Sequence, residues 1–360
     1  MSGAARWLDA PTLAEASTGR ENNVLAMRYL AAAGVILFHC YALTDHWLDE
    51  PLYRLAPPLN AGALGVQVFF VLSGVLVTRS WLDRPTFVAF AAARALRIYP
   101  ALVAATLVTA LLAGASSPLS WQEFLRSPDT WRYLAGTASG LDAVERLPGA
   151  FASNPYPRAA NGSLWTLPVE LRLYVGLAIA GILGLLVRPR AWLAVGAALV
   201  AAAIARPEVV PLEPAGPDTR LAALLFLAGS LATVWHAKVR LSLPLAALLV
   251  AAIAADVGGA LRHGPLFAIA LAYLVLVVGW HPAIRWRAFS RAPDWSYGLY
   301  VYAFPIQQTI VRFDRDIAPA TLFAVSMAAT LAAAALSWRL IEAPALRLKS
   351  RFRTPAPDRP

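Results

Sequence analysis

RYLAAAGVILFHCY, residues 28–41, sets two ionisable side chains, Arg28 and His39, into an apolar run long enough to enter a membrane. Eleven positions at 3.6 residues per turn make just over three turns. The two groups therefore share one helix face, roughly 16 Å apart along the axis at 1.5 Å per residue. Ionisable groups inside a membrane span are costly and by default mark a functional site.

Outward from that stretch the chain keeps the same character. Its 360 residues are 59% hydrophobic and 14% charged, against about a quarter charged in soluble domains, and the mean hydropathy is +0.57. Length alone suggests two domains, but a membrane bundle uses its residues differently and the pattern reads as one. The net charge of +10 invites a nucleic-acid partner. Lys and Arg, however, come in short clusters between apolar runs rather than on one basic surface, which argues for no nucleic acid. A single cysteine, Cys40, excludes an internal disulfide and any multi-cysteine metal site. There is no HExxH, P-loop or dinucleotide fingerprint, so no metal is expected. The first twenty residues, with Asp9, Pro11 and Glu15, lack the basic start and apolar run of a cleavable signal, which leaves targeting to the first span.

Apolar runs recur at about 24–43, 62–80, 97–114, 164–187, 191–205, 219–235, 241–255, 265–280, 296–312 and 318–340. Open strands cannot satisfy their backbone in lipid, so the fold expected is all-α, a polytopic integral membrane protein of about ten transmembrane helices. Several runs fall short of the ~20 residues that cross a bilayer comfortably; 191–205 and 241–255 are the weakest, and the count is good to one span. Pro168, Pro244 and Pro305 fall near span starts or inside spans, where helix breaks need surrounding protein.

Ten spans put both termini on one side, and charge chooses the side. The even-numbered loops carry Arg79, Arg84, Arg94 and Arg97, then Arg188 and Arg190, then Lys238 and Arg240, then Arg285, Arg287 and Arg291. The tail adds Arg347, Lys349, Arg351, Arg353 and Arg359, whereas the first loop sets Arg54 against Asp45, Asp49 and Glu50, and the seventh holds only Arg262. The positive-inside rule makes both termini cytoplasmic. The chain then divides into a cytoplasmic segment 1–21, a transmembrane domain 22–345 and a flexible basic tail 346–360 near anionic headgroups. The outer loop at about 115–163 contains Pro118, Pro128, Pro148, Pro155 and Pro157 with Trp121 and Trp131, and is long enough to be functional.

Four places carry candidate chemistry. His39 titrates near neutral pH and can take and return a proton; the competing reading is a packing histidine bonded to a carbonyl. Arg94 and Arg97, three apart at an expected helix start, suit bidentate phosphate recognition, with topogenic charge as the alternative. In NGSLWTLPVELRLY, residues 161–174, Glu170 and Tyr174 lie four apart on a helix entering the membrane from outside. That carboxylate either orients and charge-stabilises a histidine or makes a structural pair, for instance with Arg172. In DWSYGLYVYAFPIQQ, residues 294–308, three tyrosines accompany Gln307 and Gln308, which line a cavity or bond between helices.

In order, these pieces resemble acyltransferase family 3, membrane proteins that O-acylate bacterial surface sugars. The resemblance rests on Arg28 and His39, GVQVFFVLSGVLVTRSW at 65–81, Arg94-Ala-Leu-Arg97 with IYP, NGSLWTLPVE at 161–170, SYGLYVYAFPIQQ at 296–308 and RLIEAP at 339–344. It implies an acyl-CoA donor, usually acetyl-CoA, arriving from the cytoplasm as a substrate rather than a bound cofactor. It also implies a carbohydrate or glycolipid acceptor, membrane lipids and glycan-synthesis proteins as partners, and the cytoplasmic (inner) membrane as location. His39 becomes the catalytic histidine with Glu170 as its carboxylate and Arg28 as its motif partner. Arg94 and Arg97 become donor-binding, and Trp165, Ser163 and Tyr174 line the substrate site, Ser163, Tyr174 or backbone amides serving the oxyanion. Many relatives carry a histidine shortly before the proline of the ninth-span motif, where this chain has Phe304-Pro305, which counts against a mechanism that needs a second histidine there. The rival expectations are a transporter or flippase using the same buried charges as a substrate path, against which stands the lack of a repeat between halves, and a non-enzymatic scaffold.

Overall fold

The computed structural model describes residues 9–18, 21–205, 216–256, 264–289 and 292–352; Arg262, Arg291, Arg353 and Arg359 lie outside them. The helices begin with α1 (Leu13–Ala16), α2 (Val24–Leu43), α3 (Pro51–Leu55), α4 (Ala61–Asp83), α5 (Phe87–Ser116), α6 (Trp121–Arg126), α7 (Pro128–Ser139) and α8 (Thr166–Ile182). They continue with α9 (Pro189–Ala205), α10 (Pro217–Val234), α11 (Leu243–Ala255), α12 (Pro265–Trp280), α13 (Ser296–Phe313), α14 (Pro319–Ser337) and α15 (Ala343–Arg347). Among the described residues there is no strand, only an isolated antiparallel bridge between Thr12 and Arg240.

Each of the ten apolar runs coincides with a helix. Five stretches are long and apolar enough to cross a membrane: Val24–Leu43, Ala61–Asp83, Phe87–Ser116, Gly162–Ile182 and Pro319–Phe352. Proline sets many of the starts. α9, α10, α12 and α14 begin on Pro189, Pro217, Pro265 and Pro319, and α11 has Pro244 second; in the first turn the missing amide is no loss. Past α8, Gly184 takes φ +68°, the left-handed conformation that closes a helix, and Leu185 N–H reaches back to the Ala180 carbonyl at 2.9 Å.

The chain forms two compact units. One comprises Met1–Val35, Asp49–Leu82 and Arg172–Asp294. Within it α4 and α10 meet through glycines: a Cβ on Gly74 would run into the Phe226 carbonyl, and one on Gly229 into the Val71 carbonyl. Small residues let membrane helices approach and hydroxyls bind them; here Thr78 donates to Ser230 Oγ at 2.8 Å, and Trp192 Nε1 of α9 donates to the same oxygen at 3.1 Å. Part of segment 1–21 is fixed as well. Leu13 N–H donates to Val239 O at 2.7 Å, Ala14 N–H to His236 O at 3.0 Å, and Leu241 N–H to Pro11 O at 2.8 Å.

The other unit comprises Ile36–Leu48, Asp83–Leu171 and Trp295–Pro360. α13 and α14 pack closely, Gly298 leaving no room for a Cβ, which would lie 2.9 Å from that of Ala334. The 115–163 stretch is a small folded cap rather than a plain loop: Phe124, Tyr133, Leu147 and Phe151 bury together on Ala110 and Ala113 of α5. Two expectations need correction. α5 starts at Phe87, ten residues before the expected 97, because the apolar FVAFAAA run continues the helix; Arg94 and Arg97 therefore lie within it and not at its start. The tail is helical through residue 352, where α15 and Leu348–Phe352 pack along α5, so it is not flexible from 346.

Candidate active site

Pro305, inside α13, organises the site. A proline has no amide for the carbonyl four residues back, and Asn161 Nδ2 donates to that Val301 carbonyl instead, at 2.9 Å. One residue before Val301, the Tyr300 hydroxyl donates to the Ser163 carbonyl at 2.6 Å and lies 2.8 Å from the Thr166 hydroxyl. The tight turn Gly162–Trp165, leading into α8, is thus clasped to α13. Gly162 also packs closely on α13: a Cβ there would stand 3.0 Å from Phe304 Cε2, and that ring would have to give by a few tenths of an ångström.

Phe304 also touches the histidine. The His39 ring meets it edge-on, with centroids 5.0 Å apart and planes at 82°, while Tyr156 flanks Phe304 at 6.4 Å. The backbone under His39 is gripped by Gln307, whose Nε2 donates to the Ile36 carbonyl at 2.9 Å and lies 3.0 Å from Cys40 Sγ. Gln308 donates to the carbonyls of Tyr156 and Ala159, both at 2.9 Å. Of the two readings left open for these glutamines, both side chains make the bonds between elements.

Several buried polar atoms here have no hydrogen-bond partner among the described residues, His39 Nδ1, Ser163 Oγ, Asn161 Oδ1 and Gln307 Oε1 among them. Unsatisfied buried groups are rare enough to call for a functional explanation. His39 itself is half-buried, so its ring presents some surface while Nδ1 is enclosed. Glu170, half-buried on α8, lies close enough to Tyr300 to act on its hydroxyl electrostatically. No hydrogen bond joins Glu170 to His39. Trp165 is half-buried at the end of the clasped turn.

Arg97 is engaged by the protein. Its Nη1 lies 3.8 Å from Glu342 Oε2, and its guanidinium stands 5.9 Å from the Tyr297 ring centroid. Glu342 is 2% exposed and closes a π-helical turn, Trp338–Glu342, a distortion frequent at functional positions. Its Oε1 accepts from Ser337 at 3.2 Å, and Ser337 Oγ in turn accepts from the Tyr302 hydroxyl at 3.2 Å. Arg94 is half-buried one turn before Arg97.

The remaining two site residues belong to the first unit. Arg28 Nε is 3.4 Å from Asp294 Oδ2, and its guanidinium is 5.7 Å from the Phe69 ring centroid. The Tyr174 hydroxyl is 3.0 Å from Ser73 Oγ, its ring beside Phe226. Sequence reasoning had Tyr300 and Phe304 in its candidate stretches but did not single out Asn161, Gly162 or Glu342 as parts of the site. A proline inside a span was a usable sign for Asn161, since it implies a carbonyl in need of a donor. The Phe304–Gly162 contact left no local sign.

The acyltransferase domain family matches residues 22–339. Nodulation protein 10 of Rhizobium leguminosarum bv. viciae is 30% identical, the alignment covering 93% of this chain and 96% of that protein. An O-acetyl transferase of Shigella phage Sf6 is 27% identical over 88% of this chain and 93% of its own. No solved structure matches the chain. With its helices, these matches define a multi-pass membrane acyltransferase. The chain belongs to acyltransferase family 3.

Proposed function

We propose that the chain moves an acyl group, foremost acetyl, from acyl-CoA to a hydroxyl of a cell-surface or lipid-linked carbohydrate at the bacterial cytoplasmic membrane. The observation that carries this reading is the half-buried His39, held edge-on by Phe304 and gripped from Gln307, in a chain of this family. The likeness to a phage O-acetyl transferase supports acetyl as the group and oxygen as its acceptor. Ten spans with both termini cytoplasmic remain our topology, supported by the charge pattern and by ten helices at the expected places.

His39 is the general base. Its accessible nitrogen takes the acceptor hydroxyl proton as the oxygen attacks the thioester carbonyl. The tetrahedral adduct collapses with cleavage of the C–S bond, and the coenzyme A thiolate takes the proton from the imidazolium, restoring neutral His39. Transfer is direct, without an acyl-histidine. Ser163 Oγ, buried and unbonded, is a ready donor to the oxyanion, and Glu170 stabilises the imidazolium through space. Arg94 and Arg97 draw the donor phosphates; Arg28, tied to Asp294, holds its helix in place.

The test is transfer of labelled acetyl from acetyl-CoA to a surface-glycan extract by purified protein in lipid discs. His39→Ala should lower the rate by about 10²–10⁴-fold with an unchanged melting temperature. Full activity in that variant, or movement of glycan across the disc without acylation, would overturn the proposal.

A further inference from the structure

The strongest unassigned feature is a cavity of about 580 Å³ in the first unit, lined by Arg188, Pro189, Arg190, Val234, Trp235 and Lys238 among others. The sequence explains Arg188, Arg190 and Lys238 as topogenic charges, which need no cavity. Here the two loops that carry them are built into one place. Trp235 Nε1 donates to the Pro189 carbonyl at 3.2 Å, joining the walls, and Lys238 Nζ stands 4.9 Å over the Trp235 ring. The far side of the second loop is braced by residues 11–14 through Val239 and His236.

Three cations thus share one cavity, and none of its lining residues is acidic. Among the described residues Arg188 and Arg190 make no ion pair, and the Lys238 head meets only the indole face. The cavity opens at the first turn of the 17-residue α9, where the helix dipole also favours negative charge. Close in sequence to Arg188 and Arg190, Leu183 and Val187 in the turn before α9 and Leu193 within α9 are exposed apolar side chains. A compact anion carrying hydrocarbon chains matches both halves of this surface.

We infer that this cavity holds the phosphate headgroup of an anionic membrane phospholipid, with the acyl chains along Leu183, Val187 and Leu193. Phosphate esters also occur on soluble nucleotides, so the test must separate the two. Delipidated full-length protein in neutral detergent is titrated by native mass spectrometry with cardiolipin, phosphatidylglycerol, phosphatidylcholine and adenosine 3′,5′-bisphosphate. The expected order is cardiolipin, then phosphatidylglycerol, with phosphatidylcholine far weaker. Each cation near the surface contributes roughly a factor of five, so replacing Arg188, Arg190 and Lys238 together by Gln should weaken cardiolipin binding about a hundredfold. Replacing Arg347 and Arg351 by Gln, which removes charge elsewhere, should leave it unchanged. Should the triple variant fail to fold, Arg188→Gln and Arg190→Gln singly must each weaken binding about fivefold. Equal retention of phosphatidylcholine, affinity unaffected by the pocket variants, or a preference for the bisphosphate over the lipids would each overturn the assignment. The readout is lipid occupancy, so it stands apart from transfer activity.

Discussion

Arg97 and Glu342 should respond unequally to the loss of their partner. At 3.8 Å and an effective dielectric of about 20, two unit charges attract by about 4 kcal/mol. Removing both from water offsets much of that. The single replacements leave groups of different burial behind. Arg97→Met takes the guanidinium from a carboxylate that is 2% exposed and should cost about 3–5 kcal/mol. Glu342→Gln leaves a guanidinium that keeps the Tyr297 ring and a side chain 19% exposed, and Gln can still accept from Ser337; about 2 kcal/mol is expected. The double replacement removes both charges and should cost less than the sum. Equilibrium unfolding in mixed detergent micelles, run as a double-mutant cycle, measures all three. Additive losses within about 0.5 kcal/mol, or a larger loss from Glu342→Gln than from Arg97→Met, would refute the reasoning.

Gly162→Ala places a Cβ 3.0 Å from Phe304 Cε2, so the ring that meets His39 edge-on must give by a few tenths of an ångström; displacement by about 1 Å costs roughly a hundredfold, and acetyl transfer should fall up to about tenfold with a loss of about 1 kcal/mol in stability. Unchanged turnover would detach Phe304 from the chemistry. Asn161→Ala strands the Val301 carbonyl and should cost about 1–3 kcal/mol in unfolding, whereas adding Pro305→Ala supplies an amide and should recover part of it; no recovery means the bond in the structure is not what stabilises the clasp. In the cap, Ser120 bonds hold the Glu123 carboxyl below the usual range. A lowered folded value stabilises above the unfolded carboxylate range, about 4.3, and the contribution is lost as pH falls through the folded value. Hydrogen exchange at α6, corrected for intrinsic rate, should therefore quicken on acidification, and Glu123→Gln should abolish that dependence.

Hydropathy located the helices well because lipid imposes one rule on every span, and prolines marked their starts. It misjudged α5 because FVAFAAA is as apolar as the span it extends, so composition gave no edge at Arg94. His39 was legible as a titratable group at a membrane depth, and Gln307 and Gln308 as amides that must bond. What they bond to was not legible, since the Ile36 carbonyl lies 271 positions away from Gln307. Glu342 was visible as a letter in RLIEAP, but its partnership with Arg97 depends on the π turn after α14 packing along α5. Likewise Phe304 reads as one more aromatic in a span until Gly162 and His39 are placed against it.

The docking of residues 11–14 onto 236–241 also sets an order of events during synthesis. Arg240 Nη1 reaches the Ala10 carbonyl at 3.1 Å across 230 positions. At about 5–20 residues per second, the amino terminus waits roughly ten to fifty seconds on the cytoplasmic side of our topology before its binding loop has been translated. A tag placed directly before Ala10 would compete with that late latch, so a carrier fused at the other end of the chain is the better choice for purification.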